Sequence, residues 1–211
     1  MTRLGAIWAT ALLLTGNLAN AGSLEARVTN SAGKTIEDAA VVLEPLSGAV
    51  PARPAAAAIE QQDREFRPFV TIVQKGAAVD FPNRDSVKHH VYSFSRTKTF
   101  ELKLYAGKPA KPQTFDQAGE VALGCNIHDW MEAYVLVVNT PHFAKTAANG
   151  RATVENVPPG RYNLKVWHPL QKKDVPPREI EIGAASDKLD LLIETAPRIN
   201  KSRPTFESSS Y

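Results

Sequence analysis

The chain holds one cysteine, Cys125, and one methionine beyond the initiator, Met131. They lie six residues apart in Gly124-Cys125-Asn126-Ile127-His128-Asp129-Trp130-Met131, with a histidine midway between them. Cys-x-x-His-x-x-Met therefore sets a thiolate, an imidazole and a thioether on one short loop. Soft sulfur donors select copper, and imidazole tolerates both of its oxidation states. Two histidines and a cysteine in a plane, with a weak axial methionine, form the donor set of an electron-transfer copper site. The second imidazole must come from elsewhere, and Val87-Lys88-His89-His90-Val91 offers it. The expected ligands are His89, Cys125, His128 and Met131 around one copper ion, with the choice between His89 and His90 still open. Drawing ligands from two distant segments would hold the ion in a fixed geometry with little rearrangement on electron transfer.

Taken singly, these residues have plainer uses. Cys125 could be a small buried hydrophobe and Met131 a core filler, and the two histidines could be surface polar groups. Their joint order and spacing argue for the metal. Zinc competes poorly, because structural zinc is held by Cys, His and carboxylates and leaves Met131 without a task. A Cys125–His128 nucleophile lacks a third group to orient it. Copper enzymes with an open position need a second centre, for which five histidines are too few. The chain therefore reads as a non-enzyme: an electron carrier first, a copper storage or delivery protein second. His142 and His168 have no motif around them and read as structural or surface residues. Trp130 could shield the site, meet a partner or simply pack.

The site must be positioned by strands. Val70-Thr71-Ile72-Val73, Ala78-Val79-Asp80-Phe81, Val91-Tyr92-Ser93-Phe94, Phe100 to Leu104, Tyr134 to Val138 and Tyr162 to Trp167 are rich in residues suited to a pleated, half-buried surface. Gly and Pro punctuate them at Gly76, Pro82, Gly107 and Pro158-Pro159-Gly160. Many short strands between turns predict an all-β sandwich or barrel. Cys125 would end one strand, over 119–125, and Met131 would begin its return partner, over 131–138. The one helical candidate, alanine-rich Pro54 to Gln62, predicts a linker over 51–64 with one or two helical turns.

Residues 1–21 predict a cleaved export signal: Arg3, the apolar stretch Leu4 to Leu14, then Ala19-Asn20-Ala21. The stretch is short for a membrane span, which needs about 20 apolar residues. Export implies an oxidising periplasm, where a lone cysteine is either buried or held by a metal. Without residues 1–21 the chain carries 24 basic and 22 acidic residues. That balance gives no reason to expect nucleic acid as a partner. The polar, aperiodic stretch 197–211 predicts a disordered tail.

Residues 65–140 resemble the cupredoxins. Gly76-x-x-Val79-x-Phe81-x-Asn83 looks like that family's Gly-x-x-Val-x-Phe-x-Asn strand, and Asn83-Arg84-Asp85 through His89-His90-Val91 is similar to its Asn-x-Asp…His-Asn-Val segment. Phe115 to Gly119 matches its Phe-x-x-x-Gly, and the short ligand loop most resembles that of amicyanin. The resemblance implies a Greek-key β-sandwich with a type 1 copper ion, and it aligns His89 with the ligand. It also implies departures. His90 stands where the family has an asparagine that ties the ligand loops together, which puts that side-chain tie in question. Ile127 stands where short-loop members often carry proline, and it retains an N–H that could serve as a second donor to the cysteine sulfur. Amicyanin-like loops suggest methylamine utilisation, with a dehydrogenase or cytochrome c as redox partner.

The flanks resemble a second fold. Leu24 to Thr29 and Ala39 to Leu43, then Asn149 to Val154 and the Pro158-Pro159-Gly160 turn into Tyr162-x-Leu164-x-Val166, are similar to the transthyretin-like sandwich of carboxypeptidase regulatory domains. The resemblance implies that residues 22–50 and 141–196 build one small β-sandwich, a scaffold or partner-binding module, with the copper domain inserted between its second and third strands; the alternative is a single cupredoxin to which these segments add edge strands.

Overall fold

The computed structural model describes residues 21–109 and 111–198. The expected export signal, save its last residue, and the expected tail, save its first two, lie outside the described residues. The described residues form strands and turns with no helix among them. The all-β expectation holds.

Two strands open the chain, β1 (Gly22–Thr29) and β2 (Ala40–Pro45). A middle group follows: β3 (Ala57–Ala58), β4 (Glu60–Gln62), β5 (Glu65–Arg67), β6 (Val70–Gln74), β7 (Ala77–Asp80), β8 (His89–Ser95), β9 (Lys98–Tyr105), β10 (Gln113–Phe115), β11 (Gly119–Gly124) and β12 (Glu132–Val138). β13 (Phe143–Lys145), β14 (Arg151–Val157), β15 (Gly160–Trp167), β16 (Arg178–Ile182) and β17 (Ser186–Leu192) complete the described strands.

The middle group makes a five-stranded sheet in the order β6-β12-β11-β8-β9 and a three-stranded sheet in the order β10-β7-β3. The chain leaves the first sheet after β9, passes through β10 in the second, and returns as β11 beside β8. Such a non-sequential return is the Greek-key connection. The strands at the two ends pair with one another, as β14-β1-β17 and β13-β2-β15-β16.

Burial follows from alternation. In β2, Val41 and Leu43 enter the core shared with β1 and β15, while Ala40 and Val42 face the other way. In β12, Ala133, Val135 and Val137 enter the middle core, while Leu136 and Val138 face outward. The outward sets meet each other and Phe69, Val70 and Trp167 in a third apolar cluster. Both strands are covered on both faces, which is why each reads as an almost unbroken apolar run. The result is four stacked sheets. Lys145 Nζ crosses the junction to donate to the Val70 carbonyl (2.9 Å), and Trp167 Nε1–H donates to Glu120 Oε1 (2.6 Å).

The stretch 51–64 corrects the expectation of a partly helical linker. Ile59 N–H donates to the Asp80 carbonyl and Gln61 N–H to that of Pro82, both at 2.9 Å. Ile59 and Gln61 are fully buried, whereas Glu60 and Gln62 face out. Period-two burial against β7 outweighs alanine's helical preference, which is a weak bias over so short a stretch.

Candidate metal centre

β8 begins at His89, and the loop before it is held by Asn83. The Asn83 side chain accepts from Asp85 N–H (2.9 Å) and donates to the carbonyls of Val87 and Tyr105 (both 2.9 Å). This folds Asp85 back so that its Oδ2 lies 2.7 Å from His89 Nε2. Burial alone would raise the Asp85 carboxyl. Hydrogen bonds from Arg64 N–H, His89 and Asp63 N–H outweigh that and hold it below the usual carboxylate range. An ionised carboxylate only accepts, so His89 Nε2 carries the proton. His89 Nδ1 is then left as a lone-pair donor, and it is buried without a partner.

β11 delivers Cys125 from its end at Gly124, and the Cys125 side chain is buried. Gly124 pairs with Tyr92 of β8. A β-carbon there would come within 2.7 Å of the Tyr92 phenol, so the close strand approach beside Cys125 needs glycine. The loop then turns, with Met131 N–H donating to the His128 carbonyl (2.9 Å). Met131 is buried in the same apolar cluster as Cys125.

The ligand atoms of His89, Cys125 and His128 all lie within 4.8 Å of one another. The two imidazole rings are 5.0 Å apart at 59°. His128 Nδ1 is likewise buried and without a partner, although the residue is partly exposed. Burial lowers the basicity of His128, a charge on His89 would lower it further, and Arg64 acts in the same direction, with Asp85 opposing them. Both Nδ1 atoms are thus buried and unpartnered in a group that includes a buried thiol. Buried polar groups in native folds are nearly always satisfied, so two unpartnered imidazole nitrogens beside a buried thiol call for an occupant. Two imidazole nitrogens and a thiol suit a soft or borderline cation.

His90 is not part of the group. Its Nε2 lies 2.8 Å from Glu101 Oε1, and its ring lies 5.6 Å from that of Tyr92. The open choice between the two histidines closes in favour of His89. His142 packs edge-on against Tyr162 (6.1 Å between ring centres), and His168 Nδ1 accepts from Leu170 N–H (3.1 Å). Both are away from the donors.

Three contributors were not singled out from the sequence. Asp85 was visible only as part of a motif. Asp63 and Arg64 fell in the expected linker. Trp130 was seen, but not that it lies 5.0 Å from the His128 ring and donates to the Arg64 carbonyl (3.0 Å). An aspartate four residues before a ligand histidine was the one available signal.

No protein-family model matches the chain, and no curated protein does. Solved structures do show similarity. A purple cupredoxin from Nitrosopumilus maritimus is 21% identical, covering 39% of this chain and 99% of its own, with a TM-score of 0.35. A point mutant of amicyanin in its reduced Cu(I) form is 18% identical over 46% of this chain and 98% of its own, with a TM-score of 0.37. A copper-containing nitrite reductase from Thermus scotoductus SA-01 is 21% identical over 45% of this chain but only 25% of its own, with a TM-score of 0.38.

Proposed function

We propose that this chain is a type 1 copper protein that carries single electrons between redox partners. The observation that carries the reading is the convergence of the His89, Cys125 and His128 ligand atoms within 4.8 Å, with both Nδ1 atoms buried and unpartnered. Bound there, copper supplies a one-electron couple. Cys125 gives up its proton on loading and contributes the soft thiolate. His89, held by Asp85, contributes Nδ1 from the fully buried side. His128 contributes Nδ1 from the partly exposed side and is the edge a partner would approach. Met131, buried in the same cluster as Cys125, would add a weak thioether donor.

The storage and delivery reading needs an exposed, exchangeable site. It is disfavoured here, because Cys125 is 3% exposed and His89 0%. Copper-dependent catalysis would need an open coordination position, and nothing in this donor set calls for one. Among the described residues no helix is long and apolar enough to cross a membrane. Export to the periplasm rests on the leader-like start of the sequence. The spacing Cys125-x-x-His128-x-x-Met131 extends the proposal to partners of the methylamine-utilisation kind, a dehydrogenase donor and a cytochrome c acceptor. The outer sandwich, with its Pro158-Pro159-Gly160 turn, is proposed as a transthyretin-like scaffold.

The test is optical. Chain loaded with Cu(II) is expected to take up one ion and show an intense visible sulfur-to-copper band that bleaches with ascorbate and returns on oxidation. Cys125→Ser removes the band and His90→Gln keeps it. Stoichiometric copper with only weak colour, or a band that survives Cys125→Ser, refutes the reading.

A further inference from the structure

Hairpin β4–β5 turns over two residues, Asp63 and Arg64, with φ of 57° and 58°. Positive φ at both central positions is the type I′ turn that two-residue hairpins favour, and Asn-Gly is its preferred pair. An aspartate and an arginine, each with a β-carbon, sit there at some conformational cost. Such strain persists where the surroundings over-determine it, and often at functional sites. What surrounds this tip is the pair of segments that carry the metal donors.

Asp63 N–H donates to Asp85 Oδ1 (2.7 Å) and Arg64 N–H to Asp85 Oδ2 (2.9 Å). On the other side, the Arg64 carbonyl accepts from Trp130 Nε1–H (3.0 Å). Asp85 in turn holds His89, and Trp130 sits between His128 and Met131 with its ring against His128. One dipeptide therefore touches the supports of both histidines. The hairpin itself is firmly rooted. Gln61 is fully buried and donates to the Phe81 carbonyl (3.0 Å) and to Tyr105 Oη (2.6 Å), while Phe66 on the return strand lies in the middle core.

We propose that the Asp63–Arg64 tip is a clamp that fixes the separation of the two ligand-bearing segments, with Asp85 and Trp130 as its positioning residues. The clamp rests on the copper reading of the same site. It supplies a tie between the ligand loops from outside them, where His90 is turned toward Glu101. Outer hydrogen bonds of this kind orient a ligand imidazole and raise its basicity, and their loss typically weakens metal binding about 10–100-fold. A carboxylate behind His89 also favours the more positive oxidised ion, and so lowers the reduction potential.

The test cuts the clamp from each side with Asp85→Asn, Trp130→Phe and the double variant. In metal-free protein, amide exchange at Asp63 and Arg64 is expected to speed up in both single variants, though neither substituted residue lies in the hairpin and only Asp85 accepts from those amides. With copper bound, Asp85→Asn is expected to lose about 10–100-fold in affinity and to show a raised potential, both largely recovered by Asp85→Glu. Trp130→Phe loses less, and the double variant loses less than the product of the singles, because both act through one tip. Wild-type amide exchange and copper release in Trp130→Phe, or strictly multiplicative losses, overturn the clamp. A wild-type protein without the sulfur-to-copper band would overturn the copper reading instead, and the metal-free exchange would still decide the clamp.

Discussion

Trp167 stands at the junction of the inner two sheets, and its removal tests whether the four sheets behave as one body. Its ring joins Ala40, Val42, Phe69, Val70, Leu136 and Val138, residues drawn from both halves of the molecule, and its Nε1–H reaches Glu120. At 9% exposed it is buried enough for truncation to leave a cavity. Trp167→Ala should cost about 3–5 kcal/mol by the usual scale for aromatic truncation in cores. Trp167→Phe keeps most of the packing and loses the hydrogen bond, at about 1 kcal/mol, because Glu120 is exposed. Domains are stable by only about 5–15 kcal/mol, so the first loss is a large share. The assay is equilibrium unfolding in urea, followed by far-ultraviolet circular dichroism and by tryptophan fluorescence. In Trp167→Ala prepared without residues 1–21, which removes Trp8, Trp130 is the single tryptophan and reports on the ligand loop. Coincident transitions, both displaced by the expected amount, mean that the junction couples the two sandwiches. A loss below about 1 kcal/mol, or a Trp130 transition that stays put while the dichroism shifts, would refute that coupling.

Two further outcomes are expected. Ile127 is half exposed, so Ile127→Pro should leave stability nearly unchanged while removing the backbone N–H that the family resemblance assigns to the Cys125 sulfur. The reduction potential measured by voltammetry should fall, and an unchanged potential means that this N–H does not stabilise the reduced site. Tyr162 is buried and donates to the Pro158 carbonyl (2.7 Å), and burial pushes its hydroxyl above the ordinary tyrosine range. The unfolded chain would ionise near pH 10 while the folded one keeps its proton, so stability present below about pH 10 is lost as pH rises beyond it. Tyr162→Phe should make the alkaline decline in unfolding free energy shallower, and an unchanged slope counts against the shift.

Much of the donor group was legible because few residue types can offer a soft cation its donors. One cysteine and one non-initiator methionine left no choice of sulfur donors; the expected strands 119–125 and 131–138 each run one residue too far toward the loop, since β11 stops before Cys125 and β12 starts after Met131. The sequence could not separate His89 from His90, since adjacent strand residues differ only in the face they take. That face was set by Asp85 on one side and Glu101 on the other. The misreading of 51–64 has a similar origin. Four alanines followed by charged residues carry a local helical bias, and nothing local announces that Ile59 and Gln61 will be buried against β7 and the segment that follows it.

Composition and spacing by themselves determined the all-β class and the short sulfur–imidazole–thioether loop, because each depends on residue type and local period. Only the tertiary structure decided which imidazole meets Cys125, which carboxylate stands behind it, and that a two-residue turn some 20 residues away in the chain from Asp85 reaches both ligand segments. Those outcomes depend on where distant backbone N–H and C=O groups come to rest once the sheets have packed.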